Sequence, residues 1–151
     1  MTTSIVRFLN IIIAALLAGV SFAILIGFNP LELSPSSYLE HQQNMLQALR
    51  VLMISLVFVA AIITISSAFL QKNNKPVFIG LLVAAVFFIA CILITKFAIK
   101  PIDDKVMSWK VNSIPDDWSA LRVRWWSLHK LRTVVELIAL FIVTWTSIKR
   151  D

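Results

Sequence analysis

Residues 118–145 read WSALRVRWWSLHKLRTVVELIALFIVTW, a polar segment that runs without a break into an apolar one. Six aromatic or ionisable side chains follow one another here at steps of four, three, four, three and four. Because one helical turn takes 3.6 residues, an α-helix carries all six along one side. We call this set the stripe: Trp118, Arg122, Trp125, His129, Arg132 and Glu136.

The last two residues of the stripe stand where the apolar segment begins. An isolated charge near the bilayer centre costs about 2.5 to 3.5 kcal/mol, so these charges need partners or a function. Arg132 and Glu136 are four residues apart and can pair on a helix, although Arg before Glu is the less favourable order. Arg50 is a second possible partner for Glu136, and the sequence leaves both pairings open.

The composition is that of an integral membrane protein. Of the 151 residues 59% are hydrophobic, against about 45 to 50% in soluble domains, and the mean hydropathy is +0.86. The net charge of +6 comes from basic residues at the ends of apolar segments, which is typical of headgroup anchoring. We therefore expect membrane lipid as a partner and no nucleic acid. The single cysteine, Cys91, allows no internal disulfide.

Four segments are long and apolar enough to cross a hydrocarbon core of about 30 Å. The sequence predicts an all-α fold, an integral membrane four-helix bundle with a long, partly helical connection between spans three and four. The whole chain, 1–151, forms one domain, and we expect it in the inner (cytoplasmic) membrane of a bacterium. The predicted spans are about 5–28, 50–70, 77–99 and 131–148.

Four spans place the two long connections, 29–50 and 100–130, on the same side of the membrane. The short polar turn after the second span lies on the other side with both termini. Most of the polar residues that are candidates for binding or catalysis therefore lie at one end of the bundle, which we call the loop side. Basic residues are more numerous there, but several of them are candidates for a site, so the orientation stays open.

Three local predictions accompany this topology. His41 is assigned to a loop in the first connection, and Ser113 before Pro115 is assigned as the start of the last helix. On the first span, small residues recur every fourth position and predict a face where another helix approaches closely. Its members are Ala15, Gly19, Ala23 and Gly27.

Two interpretations of the stripe are open. In the first, its tryptophans form an interfacial aromatic belt and its basic residues bind headgroups. In the second, it lines a small-molecule pocket in which a few polar groups converge between apolar walls. On the second interpretation the candidate catalytic residues are His129, Arg132 and Arg122. The candidate substrate-binding residues are Trp118, Trp125, Trp109, Asp103, Glu136, Arg50 and His41.

The two histidines, His41 and His129, are predicted on the same side and raise the possibility of a haem or metal site. Neither an ExxH spacing nor a second ligand pair supports it, so we expect no metal. The sequence also has no Gly-rich phosphate loop, no CxxC and no nucleophile elbow. Hydrolase and nucleotide chemistry are therefore unsupported.

The motifs after the third span run in a characteristic order: Lys100-Pro-Ile-Asp-Asp, Trp109, Pro115-Asp-Asp-Trp118, Leu121-Arg122, Arg124-Trp125, His129 and Arg132. This order resembles the signature of the anthrone-oxygenase-like family of small four-span membrane proteins. That family shows P-I-N, then W, P-x-x-W, L-R-x-x-W and H-x-x-R before the fourth span. This chain has Asp103 where the family usually has Asn, and Ile99 where a second Asn often precedes the proline.

The resemblance implies a pocket for a hydrophobic aromatic or quinone-like molecule. Fungal members are oxygenases that take an anthrone to its quinone without an obvious cofactor, so we expect no cofactor here. In the catalytic version His129 is the general base, Arg132 and Arg122 stabilise the enolate or phenolate, and Trp118 and Trp125 stack on the substrate. The alternative is a non-enzymatic accessory or lipid-binding scaffold, with a protein partner or a second copy of the chain.

Overall fold

The computed structural model describes residues 2–148, which form helices and turns and contain no strand. A π-helical turn, Thr95–Ile99, joins the third and fourth helices, and two short 3-10 turns, Pro30–Glu32 and Val111–Ser113, lie in the connections. The five α-helices are α1 (Thr2–Gly27), α2 (Pro35–Leu70), α3 (Lys75–Ile94), α4 (Lys100–Ser108) and α5 (Trp118–Ile148).

Within residues 2–148, four helical segments are long and apolar enough to cross a membrane: α1, α2, α5 and the continuous segment from α3 to α4. In the bundle, α1 packs against α2 and α5, and α3 packs against the same two helices. Each long helix therefore has two main neighbours, as in an antiparallel four-helix bundle. The fold is the predicted one, and the chain is a multi-pass membrane protein.

Small side chains let the helices approach closely. Ala60 and Ala68 of α2, Ala84 of α3 and Ala139 of α5 are all fully buried. At Gly80 of α3 an added Cβ would lie 2.7 Å from Cγ2 of Thr146 on α5. Lipid offers no hydrophobic drive for helix association, so such close packing is a principal source of stability in a membrane bundle.

The predicted packing face of α1 is wrong. A Cβ added at Gly19 or Gly27 meets nothing within 4 Å, so this face points away from the bundle. The polar residues Asn10 and Ser21 are fully buried instead, together with Ala14, Leu17 and Ala18. Asn10 Oδ1 accepts a hydrogen bond of 2.8 Å from the Thr64 hydroxyl of α2. Burying these polar groups orients α1, because lipid cannot satisfy them.

Both long connections are more helical than predicted. The helix α2 begins at Pro35, where the Ser34 side chain caps the first turn and proline supplies a helical φ. His41 therefore lies in a helix, and its assignment to a loop is wrong. Ser113 is also not a helix start: Pro115 holds the preceding residue in an extended conformation, and α5 begins at Trp118.

The π-helical turn is explained by Pro101. Proline lacks an N–H, and its ring clashes with the carbonyl four residues earlier in a regular α-helix. The wider turn at Thr95–Ile99 comes just before it, so helix continues from α3 into α4. The turn and α4 together contribute five residues to the lining of one cavity, in two rows with steps of four: Thr95, Ile99 and Asp103, and Lys96 and Lys100.

Candidate functional site

A cavity of about 230 Å³ lies at the loop-side end of the bundle, between α2, α5 and the segment from α3 to α4, with Ile24 of α1 also in its lining. We call its end at Arg50, Lys96 and Lys100 the mouth. An engineered apolar cavity of about 150 Å³ is large enough to bind benzene. This cavity therefore has room for a larger ring system.

The outer wall of the cavity is apolar and comes from α2. Its side chains recur at three- and four-residue steps, so they lie along one face of that helix. Methionine has a flexible and polarisable side chain, which suits a wall that adapts to different ligands. This wall carries no signal in the sequence, and it consists of Met45, Leu46, Leu49, Met53, Ile54 and Val57.

The inner wall comes from the stripe. Trp125, His129 and Arg132 line the cavity, and all three are buried. His129 is fully buried, and Glu136, one turn beyond Arg132, is 1% exposed. The inner half of the stripe therefore faces the bundle interior.

The hydrogen bonds of His129 define its protonation. Its Nδ1 lies 3.3 Å from Nη2 of Arg132, and its Nε2 lies 3.2 Å from the Ser21 carbonyl of α1. A guanidinium only donates and a carbonyl only accepts, so Nδ1 accepts and Nε2 carries the proton. The imidazole is therefore neutral, and both of its nitrogens are engaged.

Arg132 has several partners, all at long distances. Its Nε lies 3.5 Å from Oε1 of Glu136, and its Nη1 lies 3.5 Å from the Thr95 hydroxyl. Arg132 thus pairs with Glu136, whereas Arg50 pairs with Asp104. Strong N–H···O bonds measure about 2.7 to 3.2 Å. The guanidinium keeps donor capacity for a further oxygen atom.

Asp103 fixes the orientation of Trp125. The indole Nε1 donates a 2.8 Å hydrogen bond to Asp103 Oδ1. The indole ring is parallel to the His129 imidazole, at 0° and with centroids 5.2 Å apart. Asp103, on α4, thereby fixes the indole ring of Trp125 at the wall of the cavity. An asparagine at this position would also offer a side-chain oxygen to the indole.

The mouth of the cavity is basic. Arg50 of α2 and Lys100 of α4 both form ion pairs with Asp104, which is half-exposed, and this joins the two helices across the opening. Lys96, in the π-helical turn, also lines the cavity. Its ammonium lies 5.2 Å from the ring centroid of Phe97 and has no carboxylate within ion-pair distance in residues 2–148.

The outer half of the stripe lies away from the cavity. Arg122 Nη1 donates to the carbonyls of Pro30, at 3.1 Å, and Leu33, at 2.8 Å. Its guanidinium lies 4.4 Å from the ring centroid of Trp118. These two residues hold the connection between α1 and α2 against the start of α5.

Two further candidate residues are also elsewhere. Trp109 packs in a hydrophobic cluster at the loop side, and its carbonyl accepts a hydrogen bond from Gln43. His41 is exposed, stacks on Phe28 with ring centroids 4.2 Å apart, and is not part of the cavity lining that includes His129. In the described part of the chain, no three His, Cys, Asp or Glu residues lie close enough together to hold a metal ion.

Comparison with known proteins gives one match. The sequence model of the anthrone oxygenase family matches residues 43–142, which include most of α2, all of α3 and α4, and α5 as far as Ile142. No curated protein and no solved structure matches the chain. The matched region is more than half of the chain and includes both walls of the cavity. The protein therefore belongs to the anthrone oxygenase family.

Proposed function

We propose that the cavity binds a small hydrophobic aromatic or quinone-like molecule and that the protein catalyses an anthrone-type oxygenation there. The observation that supports this most strongly is the contact between His129 and Arg132 at the wall of an otherwise apolar cavity. Small-molecule sites combine apolar walls with a few convergent polar groups in this way. For a bacterial chain, helical spans favour the cytoplasmic membrane, since outer-membrane proteins span as barrels.

The aromatic surface of the cavity supports a flat ligand. Trp125 and His129 present stacked rings on one side, and flexible methionine side chains lie on the other. Offset stacking between aromatic rings stabilises a complex by about 0.5 to 1.5 kcal/mol beyond the burial of area. A ring system inserted between α2 and α5 would contact both surfaces.

The two polar residues have complementary roles in the proposed reaction. Arg132 turns from His129 and donates to the oxygen of the bound anthrone, which is also the atom that becomes negative in the enolate. This movement frees the lone pair on His129 Nδ1. The imidazole then accepts the acidic proton from the methylene carbon as a general base.

The remaining steps use only the substrate and oxygen. The enolate transfers one electron to O₂, and the two radicals combine into a peroxide at the deprotonated carbon. A proton from the imidazolium gives the hydroperoxide, and removal of the second C–H proton with O–O cleavage gives the carbonyl and water. One anthrone and one O₂ thus yield one quinone and one water.

We propose different roles for Arg122 and Trp118 from the roles of the stripe residues that line the cavity. Their contacts with the connection between α1 and α2 support a positioning role for both, at a distance from the reacting atoms. Arg122 as a second stabiliser of the enolate stays a prediction. A substitution of Arg122 that lowers stability but leaves kcat of the folded protein unchanged would favour the positioning role.

Oxygen uptake by the purified protein in phosphatidylcholine nanodiscs tests the proposal, with anthrone as substrate and empty nanodiscs as the measure of autoxidation. We expect one O₂ consumed per quinone formed. His129→Gln should lower kcat by about 10² to 10⁴-fold, the usual contribution of a general base. Lys130→Gln, one position further on the exposed side of α5, is the matched control.

Equal turnover by wild type and His129→Gln would exclude the proposed base. Absence of turnover with every aromatic tested, together with a protein partner that co-purifies in stoichiometric amount, would favour the non-enzymatic accessory role instead.

A further inference from the structure

The charges around the cavity do not cancel. Four cationic side chains line it, and three carboxylates stand beside them, one on the wall and two as ion-pair partners. The neutral His129 adds no charge. One positive charge is left over. The cations are Arg50, Lys96, Lys100 and Arg132, and the carboxylates are Asp103, Asp104 and Glu136.

The unpaired cation is at the mouth. Arg50 and Lys100 share Asp104, and Arg132 has Glu136, which leaves Lys96 without a carboxylate in the described residues. Lys96 lies 21 residues after Lys75, the first residue of α3, or about 31 Å along a helix. That length is about the thickness of the hydrocarbon core, so Lys96 reaches headgroup depth on the loop side.

The cavity is therefore basic at its mouth and apolar along its outer wall. Lys96 and Lys100 are exposed at this depth, so a neutral arene would fill the apolar part of the cavity and leave the positive charge at the mouth without a partner in the ligand. An arene with one ionised acid group would complement both parts, because its charge would lie where Lys96, Lys100 and Arg50 converge. Complementary charge of this kind contributes to specificity and to the association rate.

We infer that the ligand of this cavity is an aromatic monoanion, with its acid group at Lys96 and its rings between α2 and Trp125. The inference rests on the proposed function, in which the same cavity binds an aromatic molecule. It adds a charge requirement at Lys96, which has no part in the proposed chemistry of His129 and Arg132. The ionised group anchors the ligand at the mouth and directs the opposite edge of the ring system towards Arg132.

Binding of anthracene-9-carboxylate and of its methyl ester tests this inference. The two probes share the ring system and differ in charge, and both accept excitation energy from tryptophan, so binding is read as energy transfer. Phosphatidylcholine nanodiscs hold the protein, and empty nanodiscs give the membrane partition of each probe, which is subtracted.

Wild type should bind the acid about tenfold more tightly than the ester, as expected for one partly exposed charge interaction. Lys96→Gln should remove this preference and leave ester affinity unchanged, and Lys100→Gln should reduce the preference. Lys105→Gln, an exposed lysine of α4 that does not line the cavity, is the matched control and should keep the preference.

Three results would overturn the inference. Equal affinities for acid and ester in wild type, with the ester bound, would refute the charge requirement and leave the proposed aromatic site intact. Absence of binding by both probes would refute the site as well. Displacement of the acid by phosphatidylglycerol in the nanodiscs, from wild type but not from Lys96→Gln, would identify a lipid headgroup as the occupant instead.

Discussion

Arg132 donates a hydrogen bond to Nδ1 of His129, one turn earlier on α5, across 3.3 Å. The carbonyl of Ser21, on a different helix, holds the opposite ring nitrogen at 3.2 Å. The two contacts together specify a neutral imidazole with its proton on Nε2. They also place the single remaining lone pair of His129 next to the Arg132 guanidinium at the cavity wall.

Nitrogen NMR of histidine-labelled protein should report this tautomer directly. The chain has two histidines, so the spectrum is simple and His41 serves as the exposed reference. We expect a protonated Nε2 and an unprotonated Nδ1 for His129. Arg132→Met should change the Nδ1 shift and leave Nε2 in place, since Ser21 is untouched. A proton on Nδ1 of His129 in the ligand-free protein would contradict the account.

Removal of one partner of the buried ion pair between Arg132 and Glu136 should lower stability much more than removal of both partners. Glu136→Leu leaves an uncompensated buried cation and should lower the free energy of unfolding by about 3 to 5 kcal/mol. The double variant Arg132→Met with Glu136→Leu should recover most of that loss, because no charge is then left buried. Unfolding in mixed detergent micelles measures both values.

The exposed pair of Arg50 and Asp104 is the control for this cycle. Its coupling energy should be below about 1 kcal/mol, as for most solvent-exposed pairs. A Glu136→Leu variant as stable as wild type would show that Arg132 reaches solvent or a headgroup and is not buried in the bundle.

Asp103 should matter as a hydrogen-bond acceptor for Trp125. Asp103→Asn keeps an oxygen for the indole and should leave the affinity for a neutral aromatic probe within about threefold, since the bond is retained. Asp103→Leu leaves Nε1 of Trp125 without an acceptor. It should lower the affinity for the same probe by about tenfold or more, which corresponds to a loss of about 1 to 3 kcal/mol in binding free energy.

Asp116→Leu, at an exposed position before α5, is the matched control and should bind like wild type. Equal loss of affinity in Asp103→Asn and Asp103→Leu would argue that the charge of Asp103, and not its hydrogen bond, supports the cavity.

Gly80 should tolerate no methyl group. In Gly80→Ala the new Cβ would lie 2.7 Å from Thr146 Cγ2. The Thr146 hydroxyl donates to the carbonyls of Ile142 and Val143, which resists rotation of the side chain. We expect a loss of about 1 to 3 kcal/mol in the free energy of unfolding, typical of overpacking.

Gly19→Ala provides the comparison, because its new Cβ meets nothing within 4 Å. It should be neutral or stabilising by up to about 1 kcal/mol, through helix propensity alone. Rescue of Gly80→Ala by Thr146→Ser would identify the clash as the cause. Equal stability of the two alanine variants would refute the close contact of α3 with α5.

The sequence offers the inner wall of the cavity as one of two interpretations of the stripe, and it gives no signal for the outer wall. The stripe is recognisable because ionisable residues at helical spacing stand out in an apolar segment, and burial then orients them inward. Met45, Leu49 and Met53 carry no such signal, because apolar side chains look alike in lipid, in a core and in a cavity. The interaction of Asp103 with Trp125 also depends on the π-helical turn, which no periodicity predicts.

The packing face of α1 shows a second limit. The repeat of small residues and the two polar residues lie on different faces of this helix. The face with the polar residues is the one that packs in the bundle. Asn10 and Ser21 were the available signal, because lipid cannot satisfy their hydrogen bonds. Hydropathy also places the start of the second span near residue 50, because the residues before it are polar. The helix α2 nevertheless begins at Pro35.

The most direct test of the aromatic site is a structure with 9-bromoanthracene bound, in which anomalous scattering locates the bromine. We expect a peak inside the cavity, between Met53 of α2 and the rings of Trp125 and His129 on α5. Met53→Trp fills that space, and we expect the peak to be lost in this variant. A bromine found only on the lipid-facing surface of the bundle, with the cavity closed or filled by lipid, would contradict the account.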